Sequence, residues 1–94
     1  MDLKICPFNC CSLDKNIDVV RDLACQDYDL LFLQETFVTE DRLGDLAFID
    51  ENYEAVGSRA VYFERAIESN AGRCEGGMAC LWKRAALLGL IRSL

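Results

Sequence analysis

The 94 residues contain no histidine, a single proline and no Cys-x-x-Cys pair. Without His, a mixed Cys/His zinc site is excluded, and without paired thiols a zinc ribbon has no framework. With one Pro and a hydrophobic content of 52%, the chain reads as globular rather than disordered. Basic residues are also in short supply. Ten Lys and Arg stand against sixteen Asp and Glu, a net charge of −6. This argues against a generic electrostatic grip on nucleic acid, so any contact with DNA or RNA must be local. No apolar run approaches the roughly twenty residues needed to cross a bilayer. The opening Met-Asp-Leu-Lys-Ile-Cys lacks a basic region followed by an apolar stretch. An intracellular protein, nuclear or cytoplasmic, is expected. Neither internal repeats nor low-complexity segments occur.

Six cysteines are present, but without a secretory signal or a loop-rich composition they do not suggest a disulfide scaffold. Cys6, Cys10, Cys25 and Cys80 lie in or beside apolar segments, where a free thiol behaves as a small hydrophobe. Buried, reduced cysteines are expected. A chain of this length makes one small domain and buries only about two-thirds of its unfolded surface. The core must be thin.

The chain is organised around Asp29-Leu30-Leu31-Phe32-Leu33-Gln34-Glu35-Thr36, an apolar run ending in an amide and a carboxylate. Four consecutive large apolar residues predict a parallel strand covered on both faces. In open α/β sheets functional groups gather just past the carboxyl ends of the strands, where Glu35 would stand. A carboxylate there needs water, a cation or a hydrogen-bonding partner. Two readings remain open from this stretch alone: a functional Glu35, or a Glu leaving the core into a solvated turn.

Upstream, residues 3–9 predict a short first strand ending at Asn9, with Pro7 suited to an edge or a bulge. Leu13, Ile17, Val20 and Ala24 recur at helical spacing, with Asp18, Arg21 and Asp22 off that stripe. This predicts an amphipathic helix capped by Asp14 or Asn16. The helix is a crossover between parallel strands, which puts Asn9 and Glu35 side by side. Two oxygen donors so placed suit a hard cation such as Mg²⁺, although Asn9 could equally be a turn residue bonded to its own backbone.

Leu3-Lys4-Ile5-Cys6-Pro7-Phe8-Asn9-Cys10-Cys11-Ser12-Leu13, the Asp29–Thr36 stretch and Gly76-Gly77-Met78-Ala79-Cys80-Leu81-Trp82 together resemble the amino-terminal part of the endonuclease/exonuclease/phosphatase superfamily. The wording Phe-Asn-Cys-Cys-Ser-Leu looks most like the endonuclease domains of non-LTR retrotransposons. The resemblance spans roughly residues 3–83 and departs at Pro7, where a small or polar residue is usual. It implies the first portion of a four-layer, DNase I-like α/β sandwich, here truncated, with residues 1–83 as a partial domain and 84–94 as a divergent apolar tail. It also implies Asn9 and Glu35 as Mg²⁺ or Mn²⁺ ligands, Gln34 as a supporting residue and DNA as the partner of the family. The downstream Asp-x-Asn, further carboxylates and the His base of the family have no counterpart. The expectation is therefore a fragment of a Mg²⁺-dependent phosphodiester-cleaving endonuclease that is itself inactive. The alternatives are a fragment of a phosphatase or lipid phosphodiesterase of the same fold, or a non-catalytic α/β interaction fragment.

The remaining segments predict a short helix over Thr39 to Phe48, capped by Thr39 and packed through Leu43, Leu46 and Ala47. A strand is expected over Tyr53 to Val61, with Gly57 at a bulge or close approach, followed by a loop over Tyr62 to Glu75. Gly76-Gly77 should open a last strand, packed closely on backbone. Arg59, Arg65 and Arg73 could meet phosphates or be ordinary solvated charges. In the tail, Leu87, Leu88, Ile91 and Leu94 would line one helical face. Half a sandwich should also leave Leu, Phe and Trp side chains exposed on its uncovered sheet face.

Overall fold

A computed structural model describes residues 3–63 and 73–86. Strands β1 (Ile5–Asn9), β2 (Leu30–Gln34), β3 (Tyr53–Phe63) and β4 (Arg73–Lys83) form one sheet in the order β1-β2-β4-β3. Helix α1 (Ile17–Ala24) joins β1 to β2, and a 3-10 helix (Glu40–Phe48) joins β2 to β3. The pair β1 and β2 runs parallel, with Ile5 opposite Leu30 and Asn9 opposite Gln34. Strand β4 is antiparallel to both β2 and β3. Among the described residues the fold is thus two layers, one sheet and its helical cover, as for a truncated first portion of a four-layer sandwich.

The core is the set of alternate strand residues that face the helices. Leu31, Leu33 and Leu81 are fully buried, Ala79 nearly so, and Cys6 and Phe8 pack against them. Val20 and Ala24 supply the apolar stripe of α1. Burying one such Leu is worth up to about 1.5–3 kcal/mol, which makes these few side chains the main favourable term in so small a domain. Tyr53 completes this layer at the start of β3. Its buried hydroxyl donates to the carbonyl of Tyr28 at 2.6 Å and lies 3.2 Å from that of Ala24, tying β3 to the segment between α1 and β2. Burial, with Asp50 and Asp29 nearby, pushes the Tyr53 phenol above its usual range.

Several expectations are corrected. The run Leu30–Leu33 is covered on one face only: Leu31 and Leu33 are buried, whereas Leu30 and Phe32 are partly exposed. On that open face Ile5, Val56 and Met78 are the exposed large side chains, while Phe32 and Trp82 stay half-buried. Cys25 is exposed, because it caps the carboxyl end of α1 rather than lying on its inner face, and Cys6 and Cys80 are only half-buried. The five described cysteines are all unpaired.

Helix α1 begins after Leu13, and neither proposed cap acts as one. Asn16 stands at the N-cap position, but its amide donates to the carbonyl of Cys10 at 2.6 Å. Asp14 instead pairs with Arg42. The second helix is of 3-10 type, with Leu46 buried, Leu43 half-buried and Ala47 exposed. The Thr39 hydroxyl donates to Asp41 at 2.6 Å and caps no backbone amide.

Strands β3 and β4 extend beyond the anticipated ends, pairing Tyr62 with Cys74 and Phe63 with Arg73, so the loop expected over Tyr62 to Glu75 is shorter. Residues 64–72 and 87–94, with the helical face assigned to Leu87, Leu88, Ile91 and Leu94, lie outside the described residues. Gly57 does mark a close approach. A Cβ there would collide with the Leu46 side chain and come within 2.9 Å of the Met78 carbonyl. Pro7 sits on the edge strand β1, where its missing N–H removes no bond to a further strand among the described residues.

Candidate functional site

The carboxyl ends of β1 and β2 form the site. Beyond Asn9 the chain continues alongside β2 instead of departing: the Cys10 N–H donates to the Gln34 carbonyl at 2.8 Å, Ser12 to Glu35 at 3.0 Å and Leu13 to Thr36 at 2.9 Å. On its other side the segment after Glu35 is held by β4. Thr36 and Phe37 donate to the carbonyls of Gly77 and Gly76 at 3.2 and 3.0 Å. Gly77 is required here. With φ at +84° it lies in the left-handed region, and a Cβ would come within 2.6 Å of the Thr36 hydroxyl and 3.3 Å of the Ala60 nitrogen.

This double anchorage keeps an unusual backbone in place. Cys11, Ser12, Glu35 and Phe37 all have positive φ, at 44°, 90°, 50° and 57°. Non-glycine residues pay about 1–2 kcal/mol each for that conformation. Such strain persists only where surrounding bonds hold it, and it gathers at functional sites.

The side chains that result are Asn9, Cys11 and Glu35. The Asn9 carboxamide oxygen lies 3.2 Å from the Cys11 sulfur and accepts the Cys11 N–H at 3.2 Å. The Glu35 carboxylate lies 3.8 Å from the same sulfur. The structure therefore brings Asn9 and Glu35 together at one sheet end, as parallel pairing of their strands requires. Asn9 does bond its own turn, through Cys11, but this leaves it beside Glu35 rather than turned away. Glu35 is half-buried and forms no ion pair with Lys or Arg among the described residues.

Gln34 takes part through its backbone carbonyl. Its side chain is exposed and bonds to neither Asn9 nor Glu35. Cys11 was missed by reading the sequence. The one available signal is its spacing of two from Asn9, which lets a tight turn fold it back over the amide. Its neighbour Cys10 is a core residue, with burial and the adjacent Cys11 pushing its thiol up to about 11.

The other candidates are engaged elsewhere. Asp14 forms a two-pronged pair with Arg42, at 2.6 and 2.9 Å, and the guanidinium holds its carboxyl below the usual range, so it is no ready base. Arg59 pairs with Glu40 at 3.0 Å. Arg65 and the side chains of Arg73 and Glu75 lie outside the described residues. Among the described residues no three His, Cys, Asp or Glu side chains converge as a metal cluster. The donor set at the strand ends is one carboxylate, one amide oxygen and one thiol. Its two oxygens fit a hard divalent cation, and its sulfur does not.

No family model matches the chain, and no curated protein does. A solved structure does: the 3′ phosphatase NExo from Neisseria bound to a product DNA hairpin, at 22% sequence identity and a TM-score of 0.63. The likeness covers 86% of this chain and 27% of that one. The chain thus has a mixed α/β fold related to the DNase I-like fold of that phosphatase, over about a quarter of its length.

Proposed function

We propose that this chain forms the first part of a divalent-cation-dependent phosphoester-cleaving domain of the endonuclease/exonuclease/phosphatase type, with nucleic acid as the substrate class. The observation that carries the reading is the meeting of Asn9 and Glu35 at the ends of two parallel strands, on a backbone held in a costly conformation. The structural likeness to a 3′ phosphatase favours removal of a terminal phosphate over the internal cleavage performed by a retrotransposon endonuclease.

When bound, Mg²⁺ or Mn²⁺ would polarise a phosphoryl oxygen and steady the leaving oxygen. Asn9 and Glu35 would hold that ion. The bonds from Thr36 and Phe37 to the glycine pair hold the backbone that carries Glu35, and the Cys11 N–H holds the Asn9 carboxamide. General-base help, typically worth 10²–10⁴-fold, is not offered by Asp14, which is committed to Arg42. The 94 residues are expected to bind the ion weakly and to turn over nothing.

The test pairs binding with turnover. Mn²⁺ binding to the chain, followed by electron paramagnetic resonance, should weaken at least about tenfold in Glu35→Ala, the loss of about 1.4 kcal/mol expected for one charged ligand. Phosphate release from a 3′-phosphorylated DNA hairpin and nicking of supercoiled plasmid should both stay at the Glu35→Ala background. Equal Mn²⁺ binding by the two proteins would overturn the cation site. Nicking that depends on Glu35 would restore the endonuclease reading and require another base.

A further inference from the structure

The helical side of the fold carries a feature that the phosphoester reading does not use. Between α1 and the 3-10 helix lies an open hollow of about 230 Å³. Leu13, Ile17, Val38, Leu46 and Ile49 form its floor, and all but the half-buried Ile17 belong to the core. Phe48 stands on its rim with 81% of its surface exposed, so its ring lies outside the hollow. We propose that this face is the contact between two copies of the chain related by a two-fold axis. Phe48 of each copy would sit in the hollow of the other, with Arg21 facing Asp45 of the partner subunit.

Shape supports the pairing. An apolar cavity of about 150 Å³ takes up benzene, so this one has room for a phenyl ring. Its two walls are tied together by Arg42 of the 3-10 helix, which pairs with Asp14 at the approach to α1 at 2.6 Å and with Asp45 at 3.4 Å. The hollow is therefore open before anything enters it, which lowers the ordering cost of binding. A closed two-fold contact needs a patch complementary to itself. This patch holds an aromatic knob and an apolar hollow side by side.

Charge selects the occupant. The chain carries −6, which sets two copies repelling each other in most orientations. The rim of the hollow is an exception, since Asp14 and Asp45 are balanced there by Arg21 and Arg42. A strongly acidic or basic partner would meet no net charge, whereas a second copy would meet no repulsion. Asp14 is held by Arg42 through two hydrogen bonds, but Asp45 meets it only at 3.4 Å and its side chain is 66% exposed. Arg21 is exposed and forms no ion pair among the described residues. The rim thus offers a cation and a carboxylate for pairing across the axis. So small a patch fits a weak, concentration-dependent dimer. Because it lies on the helical side, the contact does not depend on what covers the open face of the sheet.

Sedimentation velocity of the reduced chain, at concentrations rising to about 1 mM, should show a monomer–dimer equilibrium. Phe48→Ser should weaken it at least about tenfold while circular dichroism shows the parent fold, because the ring lies outside the core. Arg21→Glu and Asp45→Arg should each weaken the dimer by setting like charges opposite one another. An equimolar mixture of those two variants should recover association, since each contact in the mixed pair then joins opposite charges. Val56→Lys with Met78→Lys alters the open sheet face and should leave the equilibrium unchanged; the same series in that background removes any contribution of that face. A chain that stays monomeric to about 1 mM would overturn the proposal, as would association that survives Phe48→Ser or is abolished by the sheet-face pair. So would a mixture of Arg21→Glu and Asp45→Arg no more associated than its two components.

Discussion

The two faces of the sheet are built from alternate residues of the same strands, yet they have reached different states. Toward the helices, Leu31, Leu33 and Leu81 are sealed from water. On the other side, Ile5 remains 55% exposed, Val56 58% and Met78 48%. Trp82 on that side has its indole N–H buried without an acceptor among the described residues, an omission that costs about 1–3 kcal/mol. Large apolar side chains occur on both sides, although Gln34, Glu54 and Ser58 also stand on the open one, so the difference comes in large part from what each side packs against. Residue type decides which positions can be buried, and only a second layer buries them.

Substitutions can test that contrast. The largest effect should follow Leu81→Ala, which opens a cavity between β4 and the helices and costs about 2–5 kcal/mol, enough to unfold a marginal domain outright. Chemical denaturation followed by circular dichroism would show it. Next, Gly77→Ala should cost about 1–3 kcal/mol, because it meets both a left-handed backbone and the Thr36 hydroxyl. Its Mn²⁺ affinity should fall as well, since Gly77 carries the bond that holds the segment after Glu35. Tyr53→Phe should cost about 1–2 kcal/mol by leaving the Tyr28 carbonyl without its donor.

The same tyrosine gives a pH signature. Its phenol is raised in the folded state, so its contribution is complete below the unfolded value near 10 and is lost as pH rises toward the folded one. Tyr53→Phe should lack that alkaline decline. On the open face, Val56→Lys with Met78→Lys should change stability by no more than about 0.5 kcal/mol while reducing the binding of apolar dyes. A cost like that of Leu81→Ala would show that this face is covered after all. The smallest effect belongs to Asp14→Asn. The Asp14 carboxyl is lowered by Arg42, so the pair adds stability above the unfolded value near 4 and loses it as pH falls below. Exposure to solvent screens it, and only the acid limb of the pH profile should move.

These positions also mark how far the sequence can be read. The helix stripe of Ile17, Val20 and Ala24, the strand at Leu30 and the meeting of Asn9 with Glu35 follow from periodicity and the geometry of a parallel crossover. The exposed side of Leu30 and Phe32 was not legible in the run itself, because an unbroken apolar run looks the same whether or not a layer covers it; only the resemblance to half a sandwich pointed to an uncovered face. The ends of β3 and β4 were hidden by charge: Arg73 and Glu75 resemble loop residues in a list, yet they pair in a ladder whose energy comes from backbone bonds. Cys11 was illegible for a third reason. Its place beside Glu35 depends on two residues with positive φ, which side-chain pattern does not encode.

The strand order has a consequence for synthesis. Strand β4 lies between β2 and β3, although it is the last of the four to be made. A ribosome adding about 5–20 residues per second leaves β2 without its antiparallel neighbour for roughly 2–10 s. Throughout that interval Leu30-Leu31-Phe32-Leu33 presents a bare hydrogen-bonding edge on an uncharged segment of high strand propensity. The nascent chain is most vulnerable to wrong partners then, and a chaperone that shields extended apolar segments would act before Gly76-Gly77 leaves the ribosome.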